Sequence, residues 1–411
     1  MTVLSIDVSD TSGRRLSAWP QGAKALLLLP AALAASACFS LPERHPIPES
    51  LAELAHIPGI PGARYWGDEV APSTERWLEQ SDEDLAAGWS GVMGRRHAYL
   101  AISGGGQNGA FGAGLLKGWS EAGTRPEFTV VTGISTGALI APFAFLGPEY
   151  DDTLEELYTQ YSTHDLVEKR SLLAIITGDA AVSADPLRGL VEKYYDQALL
   201  DAIAVEGERG RSLAVATTNL DAGRPVTWNI TRIAMSGDPR ALSLFHQVLM
   251  ASAAIPIAFP PVMIDVEADG EIFDEMHVDG GATAQVFWCP AELDWAEVLD
   301  RLKVPGMPHV YVIRNGFLES RWKTIERGVG PIAGRTFDAL IRTQGQGDLY
   351  RIYVSTKRDG LEFRLAHIPE DFDLQANEQF DKHYMRALFN VGYEMAVEGY
   401  PWELAPDGVE E

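Results

Sequence analysis

The sequence predicts an α/β domain with a mostly parallel central sheet flanked by helices, beginning at His97. Three observations carry this reading. Short apolar runs of strand type alternate with helical segments. Two glycine-bearing loops each sit directly between a strand and a helix. No strong linker interrupts the stretch from His97 to Trp402. Strand, loop, helix, strand, turn, helix is the order in which a parallel sheet is wound.

In chain order, Ala98–Ser103 is a short apolar strand, and Gly104, Gly105, Gly106, Gln107, Asn108 and Gly109 follow it. Residues 110–122 are expected to be helical. Leu115, Leu116 and Trp119 lie on the apolar side, and Gly123 stands where a helix stops. Residues 128–132 form the second strand, and a tight turn at Gly133–Gly137 leads into a helix over 138–146. Further helices are expected at 152–163, 186–195, 242–253 and 380–398, with strands at 213–218, 226–229, 309–314 and 349–356. Residues 39–96 are rich in Pro, Gly and Glu, with Pro42, Pro46, Pro48, Pro58, Pro61 and Pro72. This region shows no sustained strand alternation and reads as a tether and wrapping extension, with a short helix near 73–80.

The 411 residues are 46% hydrophobic, enough for a sizeable core. Acidic side chains outnumber basic ones 58 to 33, for a formal net charge of −25. Such a surface repels anionic lipid headgroups and nucleic acid, the latter excluded as a partner, and argues against a polybasic membrane clamp. It leaves lipid substrates open, because a lipid can be gripped through its acyl chain. Two cysteines, Cys38 and Cys289, are too few for a disulfide framework. No Cys/His cluster has ligand spacing, so no metal is expected, and no feature asks for a cofactor.

Three segments carry the chemistry. Gly133-Ile134-Ser135-Thr136-Gly137 is a G-x-S-x-G pattern between a strand and a helix. A sharp turn there exposes the serine hydroxyl, and the helix start behind it offers N–H groups and a positive dipole end. The run Gly104–Gly109 follows the preceding strand, so both loops emerge at one edge of a parallel sheet. Bare backbone N–H groups in such a run can hold an oxyanion, an interaction worth about 2.7–4 kcal/mol per donor. A phosphate loop is disfavoured, because no Gly-Lys-Ser/Thr end is present. The third segment is Val278-Asp279-Gly280-Gly281-Ala282, which read alone is an ordinary Asp-Gly turn.

Together the segments resemble the patatin-like phospholipase family, whose marks are a G-G-G-x-x-G loop, a G-x-S-x-G elbow and a distal D-G-G or D-G-A. Two further stretches look familial: Thr218-Asn219-Leu220-Asp221-Ala222-Gly223, and Ala251-Ser252-Ala253-Ala254-Ile255-Pro256 continuing to Phe259-Pro260-Pro261. The resemblance implies a patatin-like three-layer architecture and hydrolysis of phospholipid or other fatty-acyl esters. It implies a Ser135–Asp279 catalytic dyad and an oxyanion hole among Gly104, Gly105, Gly106, Gly109 and Thr136. The family loop often carries Lys or Arg before its last glycine, where this chain has Asn108, so the preference for phospholipid is less secured than ester cleavage.

Two other readings stay open. One is a Ser-Asp-His esterase whose histidine would be His309, His367 or His383, all of which follow Asp279. The other is an envelope lipoprotein that binds lipid without catalysis. His309, His367 and His383 carry no distinguishing motif, and a structural role is the better reading for each; of the remaining candidates, His246 and His277, the latter is read as a support beside Asp279. Ile134, Leu139, Ile140, Phe143 and Phe145 are candidates for an acyl pocket, though ordinary core is the better reading for most. Trp288, Trp322 and Trp402 are expected to pack.

Residues 23–37 contain Leu26, Leu27, Leu28 and Leu29 after Lys24 and end in Ala34, Ala35, Ser36 and Ala37 before Cys38. Basic, apolar, then small residues is the order of a secretory signal. A cysteine directly after the small residues resembles the lipobox of bacterial lipoproteins. The expected organisation is a signal peptide over 1–37, a tether over 38–96 and a hydrolase domain over 97–411. The chain is then exported to the bacterial cell envelope and lipid-anchored at Cys38, meeting a membrane surface through that anchor. Simple secretion with cleavage after Ala37, or an uncleaved anchor, are the alternatives.

Overall fold

Alternate residues of one strand divide the core in two. Ala98, Leu100 and Ile102 belong to one buried cluster, while Tyr99 and Ala101, between them, belong to another. The strand β2 (Ala98–Ile102) is therefore buried on both faces, which is why it reads as a continuous apolar run rather than an alternating one. In the computed structural model of the protein, which describes residues 43–169, 179–180 and 182–409, Arg44–Glu411 form one compact unit. The leader and Cys38 lie outside the described residues.

The sheet has nine strands. They are β1 (Arg64–Trp66), β2, β3 (Val130–Ile134), β4 (Ser212–Asn219), β5 (Arg224–Asn229), β6 (Val262–Ala268), β7 (Glu271–Asp279), β8 (His309–Arg314) and β9 (Glu362–His367). The main path runs β1-β5-β4-β3-β2-β8-β9, and β4, β3, β2, β8 and β9 are mutually parallel. β5 lies antiparallel on β4, and β1 antiparallel on β5. β6 and β7 form an antiparallel hairpin whose second strand returns to β4.

The principal helices are α1 (Gly109–Glu121), α2 (Thr136–Leu146), α3 (Asp151–Thr159), α4 (Asp185–Tyr194), α5 (Gln197–Glu208), α6 (Ile230–Met235), α7 (Ala241–Ser252), α8 (Val329–Arg358) and α9 (Lys382–Val397). Leu115 and Leu116 of α1 and Leu388 and Phe389 of α9 share the cluster that contains Leu100 and Ile102. Leu349 and Ile352 of α8 join Tyr99, Val310 and Val312 in the other. Helices thus cover both faces of a mostly parallel sheet, as the strand and helix pattern predicts.

Residues 349–356 and the extension differ from expectation, and α5, α6, β6, β9 and the first half of α8 stand where no element is expected. Residues 349–356, read as a strand for their Leu, Tyr, Ile and Val, form the last turns of α8. The buried positions of α8, at Gly345, Asp348, Leu349, Ile352, Ser355 and Thr356, follow helical spacing. In the extension, Arg64–Trp66 form β1 on the rim of the sheet, a strand too short to show alternation. Trp288 is buried and Trp402 half-buried, but Trp322, expected to pack, is 96% exposed.

Candidate active site

The register of β4 brings Ser135 and Asp279 together. Its Ala214–Asn219 segment pairs with β5 along one edge. On the other edge β3 pairs as far as Ile134↔Ala216, and β7 takes over from Thr217↔Asp279. Two strands therefore meet tip to tip on consecutive residues of β4. Ser135 leaves the end of one beside Asp279 at the end of the other.

The elbow at Ser135 is sharp. The residue has φ 55° and ψ −124°, left-handed backbone that non-glycine residues rarely adopt. A Cβ on Gly133 would lie 2.4 Å from the Gly137 carbonyl oxygen, and one on Gly137 would lie 2.3 Å from that of Ile102. Both glycines of the pattern are thus required by close approach. Ser252, fully buried at the end of α7, locks the turn. Its Oγ accepts from the Ser135 N–H at 3.0 Å and donates to the Ala216 carbonyl at 2.7 Å.

Ser135 Oγ donates to Asp279 Oδ2 at 2.6 Å, and the Gly281 N–H donates to Oδ1 at 2.7 Å. The Asp279 N–H is itself held by the Ala254 carbonyl. Ser135 is 7% exposed and Asp279 5%. Burial pushes the Asp279 carboxyl from an ordinary 3.8 up to about 6, against the lowering effect of the two hydrogen bonds.

The glycine loop stands opposite, fixed by Asn315. A Cβ on Gly105 would lie 2.2 Å from the Asn315 carbonyl oxygen. Asn315 donates Nδ2–H to the Ser103 carbonyl and accepts from the Gly112 N–H. Within this loop the expected oxyanion donors divide. The Gly104 N–H donates to the Gln285 carbonyl, and the Gly109 N–H to the carbonyls of Gly106 and Gln107, so neither is free to receive an oxyanion. The N–H groups of Gly105, Gly106 and Thr136 have no acceptor among the described residues. Asn108 accepts from the Tyr384 hydroxyl at 2.8 Å.

An apolar cavity opens from the hydroxyl. Gly106, Ser135 and Thr136 form part of its wall, and Leu139, Leu157, Leu187, Leu190, Val191, Tyr195, Phe259, Phe380 and Met385 also line it. Of the apolar residues proposed from sequence, Leu139 lines this cavity. Ile134, Ile140, Phe143 and Phe145 are buried in the core instead. Tyr158 closes the wall beside Thr136, with the two hydroxyls 2.6 Å apart.

Among the described residues, no histidine bonds to Ser135 or Asp279. His309 begins β8, and its Nδ1 lies 3.2 Å from the Tyr311 hydroxyl. His367 is held by the Ile368 carbonyl and Glu403, and His383 sits in the first turn of α9. His246 contacts the Tyr195 carbonyl. His277 is fully buried behind the site, between Thr217 Oγ1 at 2.9 Å and Glu275 at 3.1 Å. Glu275 in turn accepts from Arg64 of β1 at 2.6 and 2.7 Å. Burial alone would raise the Glu275 carboxyl, but the His277 hydrogen bond and the Arg64 charge hold it below its ordinary value. Among the described residues, no group of three or more His, Cys, Asp or Glu is placed to hold a metal.

Ser252, Asn315 and Gln285 support the site without having been singled out as site residues. Ser252 sits within a stretch already noted as familial. Asn315 follows a predicted strand, a position shared by many loop residues.

A comparison with curated proteins finds no match. Among solved structures, the chain is similar to VipD from Legionella pneumophila, at 13% identity and a TM-score of 0.40. The match covers 74% of this chain and 66% of that one. It is similar also to the type III effector protein ExoU, at 15% identity and a TM-score of 0.20, covering 74% of this chain and 53% of that one. The chain thus spans just under two thirds of the first and about half of the second. The family model of the patatin-like phospholipases matches residues 100–291, a span that holds the glycine loop, the elbow and Asp279. Residues 100–291 are a patatin-like phospholipase domain.

Proposed function

We propose that the chain is a lipid acyl hydrolase acting through a Ser135–Asp279 dyad. Ser135 Oγ attacks the ester carbonyl carbon while its proton passes to Asp279 Oδ2. The N–H groups of Gly105, Gly106 and Thr136 receive the oxyanion. The tetrahedral intermediate collapses, the alcohol leaves with the proton from Asp279, and the acyl group stays on Ser135. Water then attacks the acyl-enzyme, giving its proton to Asp279, and the fatty acid departs as Ser135 regains its hydrogen. The observation that carries this reading is the 2.6 Å hydrogen bond to a buried carboxylate from Ser135, which lies in the wall of an apolar cavity. A carboxylate is a weak base in water, and burial brings Asp279 toward the working range. Labelling by a fluorophosphonate probe and turnover of acyl esters are expected for the parent chain, and both are lost in Ser135→Ala. Undiminished turnover by that variant removes Ser135 as the nucleophile. A panel of phospholipids and simple acyl esters then ranks substrates, and the missing cation at Asn108 favours weak headgroup discrimination.

Residues 97–411 carry the catalysis in this reading, with 38–96 as the extension that straps β1 onto the sheet. We further propose export to the cell envelope and lipid anchoring at Cys38. Mass spectrometry of the mature N-terminus checks this: a diacylated cysteine is expected, and an unmodified Cys38 within an intact leader refutes it.

A further inference from the structure

The first half of α8 and the loop before it expose an apolar surface. Val329, Ile332, Phe337, Leu340 and Ile341 recur on one helical face, and every one of them is exposed, Val329 at 89%. Trp322, just upstream, is 96% exposed. Exposed apolar residues gathered in this way mark an interaction site rather than ordinary surface.

The surface begins at the rim of the site. Gln344 lies on the same helical face, and there its side chain accepts from Gln285 Nε2, which also donates to the Gly281 carbonyl beside Asp279. On the other flank, Arg321 donates to the carbonyls of Glu370 and Phe372. Phe372 packs edge-on against Tyr384, whose hydroxyl bonds Asn108 of the glycine loop.

The charge here runs against that of the chain. Between Arg321 and Arg327 stand three basic side chains, Arg321, Lys323 and Arg327, and one acid, Glu326, in a chain with 58 acids and 33 bases. Lys323 and Arg327 are exposed beside Trp322. At physiological salt the screening length is about 8 Å, so a surface in contact senses these cations more than the distant acids. Trp at a headgroup boundary, neighbouring Lys and Arg, and an aliphatic stripe are what a helix lying in a lipid interface requires.

We infer that the 322–341 surface docks on an anionic phospholipid bilayer, with Trp322 and the Val329–Ile341 stripe in the headgroup boundary. Docking brings the rim of the Ser135 site to the membrane, and the inference rests on the lipid acyl hydrolase reading for its purpose. The test uses the full chain carrying Cys38→Ser, so that the candidate anchor contributes nothing, and Ser135→Ala, so that the lipid stays intact. It is sedimented with vesicles of equal parts phosphatidylglycerol and phosphatidylethanolamine. Binding is expected, weakening as salt rises, and falling at least about tenfold when Trp322→Ala, Phe337→Asp and Leu340→Asp are combined. On the Ser135 background, the same three changes lower hydrolysis of vesicle lipid while turnover of a soluble short-chain ester, which reports intact folding, is unchanged. Equal sedimentation of the triple variant overturns the inference. So does unchanged vesicle binding accompanied by loss of a dimer, which makes the stripe a contact between copies. Lost sedimentation in a chain that hydrolyses neither ester nor lipid keeps the docking surface and removes the hydrolase reading.

Discussion

At the scale of single residues, the proton carried by Asp279 decides both rate and stability. A carboxyl protonated below about 6 cannot accept the Ser135 proton. kcat/KM on a soluble ester should therefore rise about tenfold per pH unit below that value and level off above it. A flat profile from pH 4 to 8 contradicts Asp279 as the base. Stability runs the other way. The folded carboxyl titrates above its unfolded value of 3.8, so the native state holds its proton more tightly and loses stability as pH rises from about 4 through about 6. The loss is roughly 3 kcal/mol at pH 8, given about 1.4 kcal/mol per pH unit of displacement. Asp279→Asn should accordingly be inactive yet raise Tm at pH 8, with the gain shrinking toward pH 4. Ser252 offers a different test. Replacing it with Ala leaves the Ser135 N–H without its acceptor and frees the elbow. We expect a stability loss of about 1–3 kcal/mol and a kcat lowered roughly ten- to hundredfold, with KM little moved. Wild-type kcat in Ser252→Ala shows that the elbow holds its shape unaided. Ser135 and Asp279 were legible because glycines at fixed offsets report where the backbone must turn or approach closely. Ser252 and Asn315 act through hydrogen bonds to residues 117 and 212 positions away, which local pattern does not reveal.

At the scale of elements, the strands and helices around the site were readable because each buries an apolar face. The end of α8 was not, since Leu349, Tyr350, Ile352, Tyr353 and Val354 carry strand-like composition on a helical burial pattern. Its first half carries an apolar stripe that faces outward. β1 is another hidden element. Three residues give no periodicity, but Arg64 reaches across the sheet to Glu275, which touches His277, which touches Thr217 opposite Asp279. Breaking a buried pair strands a charge, so Arg64→Met should cost about 3–5 kcal/mol in denaturant unfolding. Adding Glu275→Gln should return most of it. A loss under about 1 kcal/mol for the single change means that the pair contributes little beyond what His277 supplies.

At the scale of the whole molecule, net charge argues against nucleic acid but misrepresents the surface as uniform. The cations near Trp322 are too few to move a total of −25, and they matter because they are clustered. Sheet topology contributes what no count of residues can. Ser135 and Asp279 are separated by 144 positions, yet the distance between them is set by two adjacent rungs on β4. Six principal helices and the β6–β7 hairpin are threaded between them, and the loops that join these elements can lengthen or shorten without moving the pair, provided β4 and both strand tips keep their rungs and Ser252 keeps its hold on the elbow. A shift of β7 by one rung would carry Asp279 about 3.3 Å along and turn its side chain to the opposite face of the sheet. The chemistry is thus indifferent to the length of most intervening loops and intolerant of a single slipped ladder position, which makes the β4 edge the part of the fold that tolerates least change.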